Sequence, residues 1–268
     1  MDTKLSPRTP LRVAITGGTS GLGLALVEAF AGRGDAVAFV ARHADAVAKV
    51  ARRVVGSHGI VGDVSRKEDA HAIALQVGAA LGGLDVLINN ASSLGPVPLA
   101  LLADTECEDF ETALATNLLG PFRLTKAMLG LLAAAAREGS AAGARSLVFN
   151  VSSDAAVTPY AGWGAYGASK AALAHMSRIW DEELRPHGVA VAVAVAVPAA
   201  RSMSLRSTIS RAASRGRFRV ARSASGTARA CRGESMSPGS TATTATPCGR
   251  SSSSQIRLMC ASAALLAP

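Results

Sequence analysis

The chain has 268 residues, of which 49% are hydrophobic, enough to form one α/β domain with its own core. Its formal net charge of +9 is unevenly placed: residues 201–268 hold eleven arginines, no lysine and one acid, whereas residues 1–200 net to −1. The four cysteines (Cys107, Cys231, Cys248, Cys260) lack metal or redox spacing, no apolar run is long enough to span a membrane, and the N-terminus has no signal-peptide core, so free thiols and a cytoplasmic location are expected.

In chain order, Leu11 to Thr16 reads as a buried parallel strand that runs into a glycine turn, Gly17 to Gly23, and then a helical pattern over Leu24 to Phe30. A strand, a glycine turn and a helix form the setting in which backbone N–H groups and the helix dipole hold a pyrophosphate. The spacing, Gly17-x-x-x-Gly21-x-Gly23, differs from the standard G-x-G-x-x-G. A second strand, 36–41, ends at Ala41 and is followed by Arg42. NAD binders place an acid there for the ribose hydroxyls; a guanidinium instead suits a 2′-phosphate, so NADP is favoured, with NAD possible. The other reading of Arg42 is a surface charge opening the next helix.

Further strands are expected near 58–62, 84–90, 145–151 and 188–197, with helical periodicity between them, as from Glu68 to Leu81. This alternation predicts a single Rossmann-like, doubly wound parallel sheet with helices on both faces. Asp63 follows the third strand and is read either as an adenine contact or as the cap of a helix beginning near Ser65. A long helical stretch, 105–136, contains Asn117, and a helix spans 163–184.

That last helix carries Tyr166 and Lys170, four apart and so on one face. An ammonium beside a phenol favours the phenolate, which suits the tyrosine to exchange a proton with an alcohol oxygen. Ser153, thirteen residues before Tyr166, is placed to hydrogen-bond the same oxygen. Ser152 offers the same chemistry next door, and Ser153 is otherwise a turn hydroxyl satisfying local backbone. Lys170 is otherwise a solvated helix lysine, and Asn117 a helix kink or cap.

Taken together, these motifs resemble the short-chain dehydrogenase/reductase family over about residues 10–198. Thr16 to Gly23 resembles its glycine motif, and Asp63-Val64 its adenine-contacting pair. Leu87 to Ala91 resembles its Asn-Asn-Ala-Gly segment, with Ser92 in place of the last glycine. Ala115 to Gly120 resembles the stretch whose asparagine holds a proton-relay water. The resemblance implies NAD(P)-dependent interconversion of an alcohol and a carbonyl compound. Gly17, Thr19, Ser20, Gly21, Leu22, Gly23, Arg42, Asp63, Val64, Asn90 and Ala91 would bind the cofactor. Asn117, Ser153, Tyr166 and Lys170 would be catalytic, with Tyr166 and Lys170 also touching the cofactor. It further implies a small-molecule substrate and pairing through the long helices into a homodimer or homotetramer.

The resemblance stops at Val197 to Ala200, where a Pro-Gly turn, a substrate-covering segment and a seventh strand are expected. Residues 201–268 are rich in Arg, Ser, Ala and Thr and read as a disordered basic tail, by hypothesis a frame-shifted reading of a GC-rich gene, the alternative being a truncated family member with a genuine basic tail. The tail has no nucleic-acid motif and one aromatic, Phe218, so nucleic acid is not an expected partner. The chain thus divides into a nucleotide-binding oxidoreductase domain, 1–200, and a tail, 201–268. The alternative function is a catalytically weak nucleotide-binding protein that lacks the substrate lid.

Overall fold

The computed structural model describes residues 9–95, 97–139 and 146–195. The expectations for residues 196–268 lie outside the described residues. These are the disordered tail, the missing seventh strand and the frame shift.

Six strands form one sheet: β1 (Arg12–Thr16), β2 (Ala36–Ala41), β3 (Ser57–Val61), β4 (Val86–Asn89), β5 (Ser146–Ser152) and β6 (Val189–Val195). Their order is β3-β2-β1-β4-β5-β6, and every pairing is parallel. The expected strands are found, each within about two residues of its expected ends. Their sequences explain why. Val13 to Ile15, Val37 to Val40 and Val86 to Ile88 are almost wholly buried apolar runs, as strands covered on both faces require.

The helices that cover them are α1 (Gly21–Ala31), α2 (Ala44–Arg53), α3 (Asp69–Leu81), α4 (Cys107–Leu114), α5 (Gly120–Glu138) and α6 (Gly164–Leu184). One core cluster lies between the sheet and α3 and α5, with Val40, Leu87 and Val148 from the sheet packed on Ile73, Val77, Leu124, Met128 and Leu132. At the N-terminal end of the sheet, Arg12 ties β1 to Asp85 and to Glu138 at the end of α5, each at 3.0 Å.

Two expectations change. The stretch 105–136 is not one α-helix: a π-helical turn, Ala115–Leu119, separates α4 from α5. Helix continues on both sides of this turn, so the sequence reads as one helical stretch. The same stretch, Cys107–Glu138, is also long and apolar enough to cross a membrane, contrary to the sequence-based expectation. Its apolar character has a source within the fold: Leu124, Met128 and Leu132 pack on the sheet, and an alanine-rich segment follows.

Parallel order with a reversal between β1 and β4 creates a switch point. Ligands of such sheets bind at the C-terminal strand ends beside it. The glycine turn after β1, the segment after β4 and Ser153 after β5 all lie at those ends.

Candidate active site

The glycine turn is held from below by hydrogen bonds. The N–H of Gly17 donates to the Val40 carbonyl at 2.8 Å. Gly17 and Gly21 have φ of +69° and +51°, a left-handed backbone that other residues adopt at a cost. A methyl at Gly23 would overlap the Gly17 carbonyl, whereas a Cβ at Gly21 would meet nothing within 4 Å. The turn is therefore tight on its inner side and open on its outer side. Ser20 caps α1 in an extended conformation without using its side chain for the cap. Thr19 and Leu22 complete the turn into the first helical residues.

The segment after β4 braces this turn. Thr16 Oγ1 accepts from the N–H groups of Asn90 and Ala91, both at 3.0 Å, and Asn90 Nδ2 donates to the Thr16 carbonyl at 2.9 Å. A Cβ at Gly17 would lie 3.0 Å from Ala91 Cα. Position 17 thus has little room for a side chain against the Ala91 backbone. Arg42 is exposed directly after β2. Asp63 does not cap α3, which begins at Asp69. It closes a short turn in which Oδ1 accepts from Ser65 N at 2.9 Å and from Ser65 Oγ at 2.7 Å, next to the buried Val64.

Tyr166 and Lys170 share the inner face of α6. The Lys170 ammonium lies 5.6 Å from the Tyr166 ring centroid. Lys170 is 2% exposed, which excludes the solvated-lysine reading. Its Nζ donates to the Val151 carbonyl at 2.9 Å, and burial lowers its pKa to about 8. Ser152 and Ser153 diverge. Ser152 Oγ points into the protein and donates to the Lys170 carbonyl at 3.3 Å. Ser153 Oγ accepts from the N–H of Ala155 at 3.2 Å and donates to Asp154 Oδ1 at 2.9 Å.

Asp154 also accepts from the Tyr160 hydroxyl at 2.9 Å. Burial raises the Asp154 pKa, but the hydrogen bonds from Ser153, Tyr160 and the Ala155 amide outweigh it and hold the carboxyl below its ordinary value. Tyr160 packs against Trp163 at 5.8 Å between ring centroids, and Trp163 meets Tyr166 edge-on at 5.4 Å. A chain of contacts thus runs from Ser153 through Asp154, Tyr160 and Trp163 to Tyr166.

Asn117 lies in the π-helical turn and is fully buried. Its Oδ1 accepts from Ser93 N at 2.8 Å and Ser92 Oγ at 3.1 Å, and its Nδ2 donates to the Ser93 carbonyl at 2.8 Å and to Ser169 Oγ at 2.9 Å. Ser169 Oγ in turn donates to the Tyr166 carbonyl at 2.7 Å. Asn117 therefore joins the segment after β4 to the helix that carries Tyr166. The sequence points to Asn117 but not to its partners Ser92, Ser93 and Ser169; it points to Asp154 to Trp163 as pocket-lining positions but not to the hydrogen bond between Asp154 and Tyr160. A second buried set, Asn89, Asn150 and Ser177, links β4, β5 and α6 beneath the site.

Among the described residues no group of three or more His, Cys, Asp or Glu is placed to hold a metal ion.

Comparison with known proteins agrees with this fold. The model of the short chain dehydrogenase family matches residues 12–211, somewhat beyond the stretch whose motifs are legible by eye. Momilactone A synthase of Oryza sativa subsp. japonica is 34% identical over 183 residues, covering 66% of this chain and 62% of that protein. A metagenomic short-chain oxidoreductase in complex with NADP superposes with a TM-score of 0.67 at 28% identity, covering 76% of this chain and 90% of that one. A short-chain dehydrogenase from Streptomyces avermitilis gives a TM-score of 0.62 at 30% identity, covering 70% and 65%. This chain spans 58–63% of the length of five of the curated relatives it matches. With the sheet order and the glycine turn, these matches show that the chain belongs to the short-chain dehydrogenase/reductase family of oxidoreductases.

Proposed function

We propose that the protein interconverts an alcohol and a carbonyl compound, with NADP as the preferred cofactor and Tyr166 as the acid/base. The observation that carries this reading is the buried Lys170 ammonium, 5.6 Å from the Tyr166 ring, at the strand ends that also carry the glycine turn. The residues fit a dinucleotide. The outer side of the turn at Gly21 is open, and its inner side is too tight for side chains. Gly17 to Gly23 would hold the pyrophosphate, Asp63 and Val64 the adenine, and Asn90 and Ala91 the ribose beyond it. Arg42 would clamp the 2′-phosphate. This reading is supported by the lack of an acid at the end of β2 and by a structural neighbour that is an NADP complex.

A bound nicotinamide nucleotide supplies or accepts the hydride. The chain's own residues manage the proton. The Tyr166 hydroxyl gives a proton to the substrate oxygen in reduction and takes one in oxidation. The Lys170 ammonium favours the phenolate form and keeps two N–H groups beyond the one given to Val151, enough to hold ribose hydroxyls. The Ser153 hydroxyl must turn its proton from Asp154 to the substrate oxygen. Asn117 holds α6 in register through Ser169.

The proton that Ser153 gives to Asp154 favours a second reading, a nucleotide-binding protein with weak turnover. The two readings separate in one screen of NADPH and NADH consumption against a panel of ketones and aldehydes. The proposal expects turnover with NADPH at least about tenfold more efficient than with NADH, and an Arg42→Ala variant that loses roughly ten- to a hundred-fold with NADPH alone. Nucleotide binding without turnover on any carbonyl compound would favour the second reading. Equal losses for both cofactors in Arg42→Ala would remove Arg42 from the 2′-phosphate.

A further inference from the structure

We propose that this site takes an uncharged, largely apolar alcohol or carbonyl compound and discriminates against carboxylates and phosphate-bearing carriers. The inference rests on the assignment of Tyr166 as the acid/base and adds the substrate class.

Two segments flank the N-terminus of α6, where Tyr166 sits. The first follows β4 and the second follows Ser153. They are drawn together by glycines: a Cβ at Gly162 would lie 3.4 Å from Leu99 Cβ, one at Gly164 would strike the Leu102 side chain, and one at Gly95 would lie 3.7 Å from Ala165 Cβ. Their large apolar side chains nevertheless remain in solvent. Leu99, Leu101 and Leu102 are 43%, 57% and 61% exposed, and Val157 and Tyr160 are 62% and 44% exposed. The Tyr160 ring leads through Trp163 to Tyr166. Exposed apolar groups that converge on a reactive residue mark a ligand-binding rim.

These two segments carry one sign of charge. Within 94–111 and 154–163 the sequence holds six acids (Asp104, Glu106, Glu108, Asp109, Glu111 and Asp154) and no Lys, Arg or His. Asp154 is exposed beside Ser153 and its hydrogen bonds keep it ionised. The other five acids lie on or just before α4, which packs against α6. An anionic substrate would meet repulsion from these two segments, whereas a neutral or cationic one would not. Leucine and valine side chains give a neutral hydrocarbon substrate the area it needs, and the Asp154 carboxylate can accept from a hydroxyl or ammonium group.

The test uses the full chain with NADPH and three ketones of equal length: an alkyl methyl ketone, its analogue ending in a carboxylate, and its analogue ending in an ammonium group. The alkyl ketone should exceed the carboxylate in kcat/KM by about tenfold or more, and Asp154→Asn should narrow that ratio by about three- to tenfold. Val157→Lys, which leaves the partners of Ser153 intact, should narrow it similarly. Binding is read separately from turnover by quenching of Trp163 fluorescence in a Trp180→Phe chain. Equal or better turnover of the carboxylate ketone overturns the proposal and leaves the acid/base assignment standing. Quenching by the alkyl ketone but not by the carboxylate, without turnover of any ketone, overturns the acid/base assignment and supports the apolar site. No quenching by the alkyl ketone, or quenching that follows protein concentration and so assigns the rim to a second copy, overturns the proposal.

Discussion

Lys170 is the residue at which stability and function oppose each other. It is 2% exposed, and burial lowers its pKa from 10.5 to about 8. Below pH 8 the lysine is charged in both the folded and the unfolded chain, and the native state bears the full cost of burying the ammonium. As pH rises through 8 the native lysine loses its proton while the unfolded one keeps it up to about 10.5, so this group's contribution to stability improves across that window. Under the proposed function, the chemistry of Lys170 accounts for a residue that burial disfavours. Lys170→Met should therefore abolish measurable turnover and raise the stability of the cofactor-free protein near neutral pH by about 1–2 kcal/mol, the remainder after the Val151 hydrogen bond is lost. Thermal melts of both proteins check this. A methionine variant that melts lower at neutral pH would mean that the lysine stabilises the site.

At the scale of elements, the π-helical turn between α4 and α5 joins the segment after β4 to the helix that carries Tyr166. It points Asn117 inward, and the four side-chain hydrogen bonds of that residue hold the segment after β4 against α6. Asn117→Ala leaves the Ser93 N–H and carbonyl and the Ser169 hydroxyl without these partners in a buried place. The expected cost is about 2–4 kcal/mol, seen as a lower urea midpoint with an unchanged slope. A midpoint within error of the parent would show that Asn117 is not a structural joint.

The strands and the glycine turn are legible in the sequence because their signals are local: a run such as Ala36 to Ala41 is apolar throughout, and the turn needs glycine at fixed offsets. Tyr166, Lys170 and Ser153 are legible because their spacing is fixed by one helix and one loop. The π-helical turn is not, since helix continues on both sides of it. Nor are the serines that serve Asn117, because each is an ordinary serine until folding brings together positions 24 to 52 residues apart. Asp154 to Trp163 read as pocket-lining in the sequence, yet the bond between Asp154 and Tyr160 exists only once the loop returns Tyr160 to it.

At the scale of the whole molecule, the strand order brings the parts of the site together. Reversal between β1 and β4 sets the glycine turn beside Asn90 and Ala91, and β5 next to β4 delivers Ser153 to the same edge. The opposite end of the sheet is closed by the ion pairs of Arg12 with Asp85 and Glu138, far along the strands from the chemistry. The central claim is that Tyr166 moves the proton at this edge while the rest of the fold holds nucleotide and substrate. The most direct measurement compares the parent chain with Tyr166→Phe for NADPH affinity and for NADPH consumption with an alkyl ketone. The account predicts unchanged NADPH affinity and turnover lower by about two orders of magnitude or more, the scale of lost general acid catalysis. Turnover within a few-fold of the parent, with the same affinity, would contradict it.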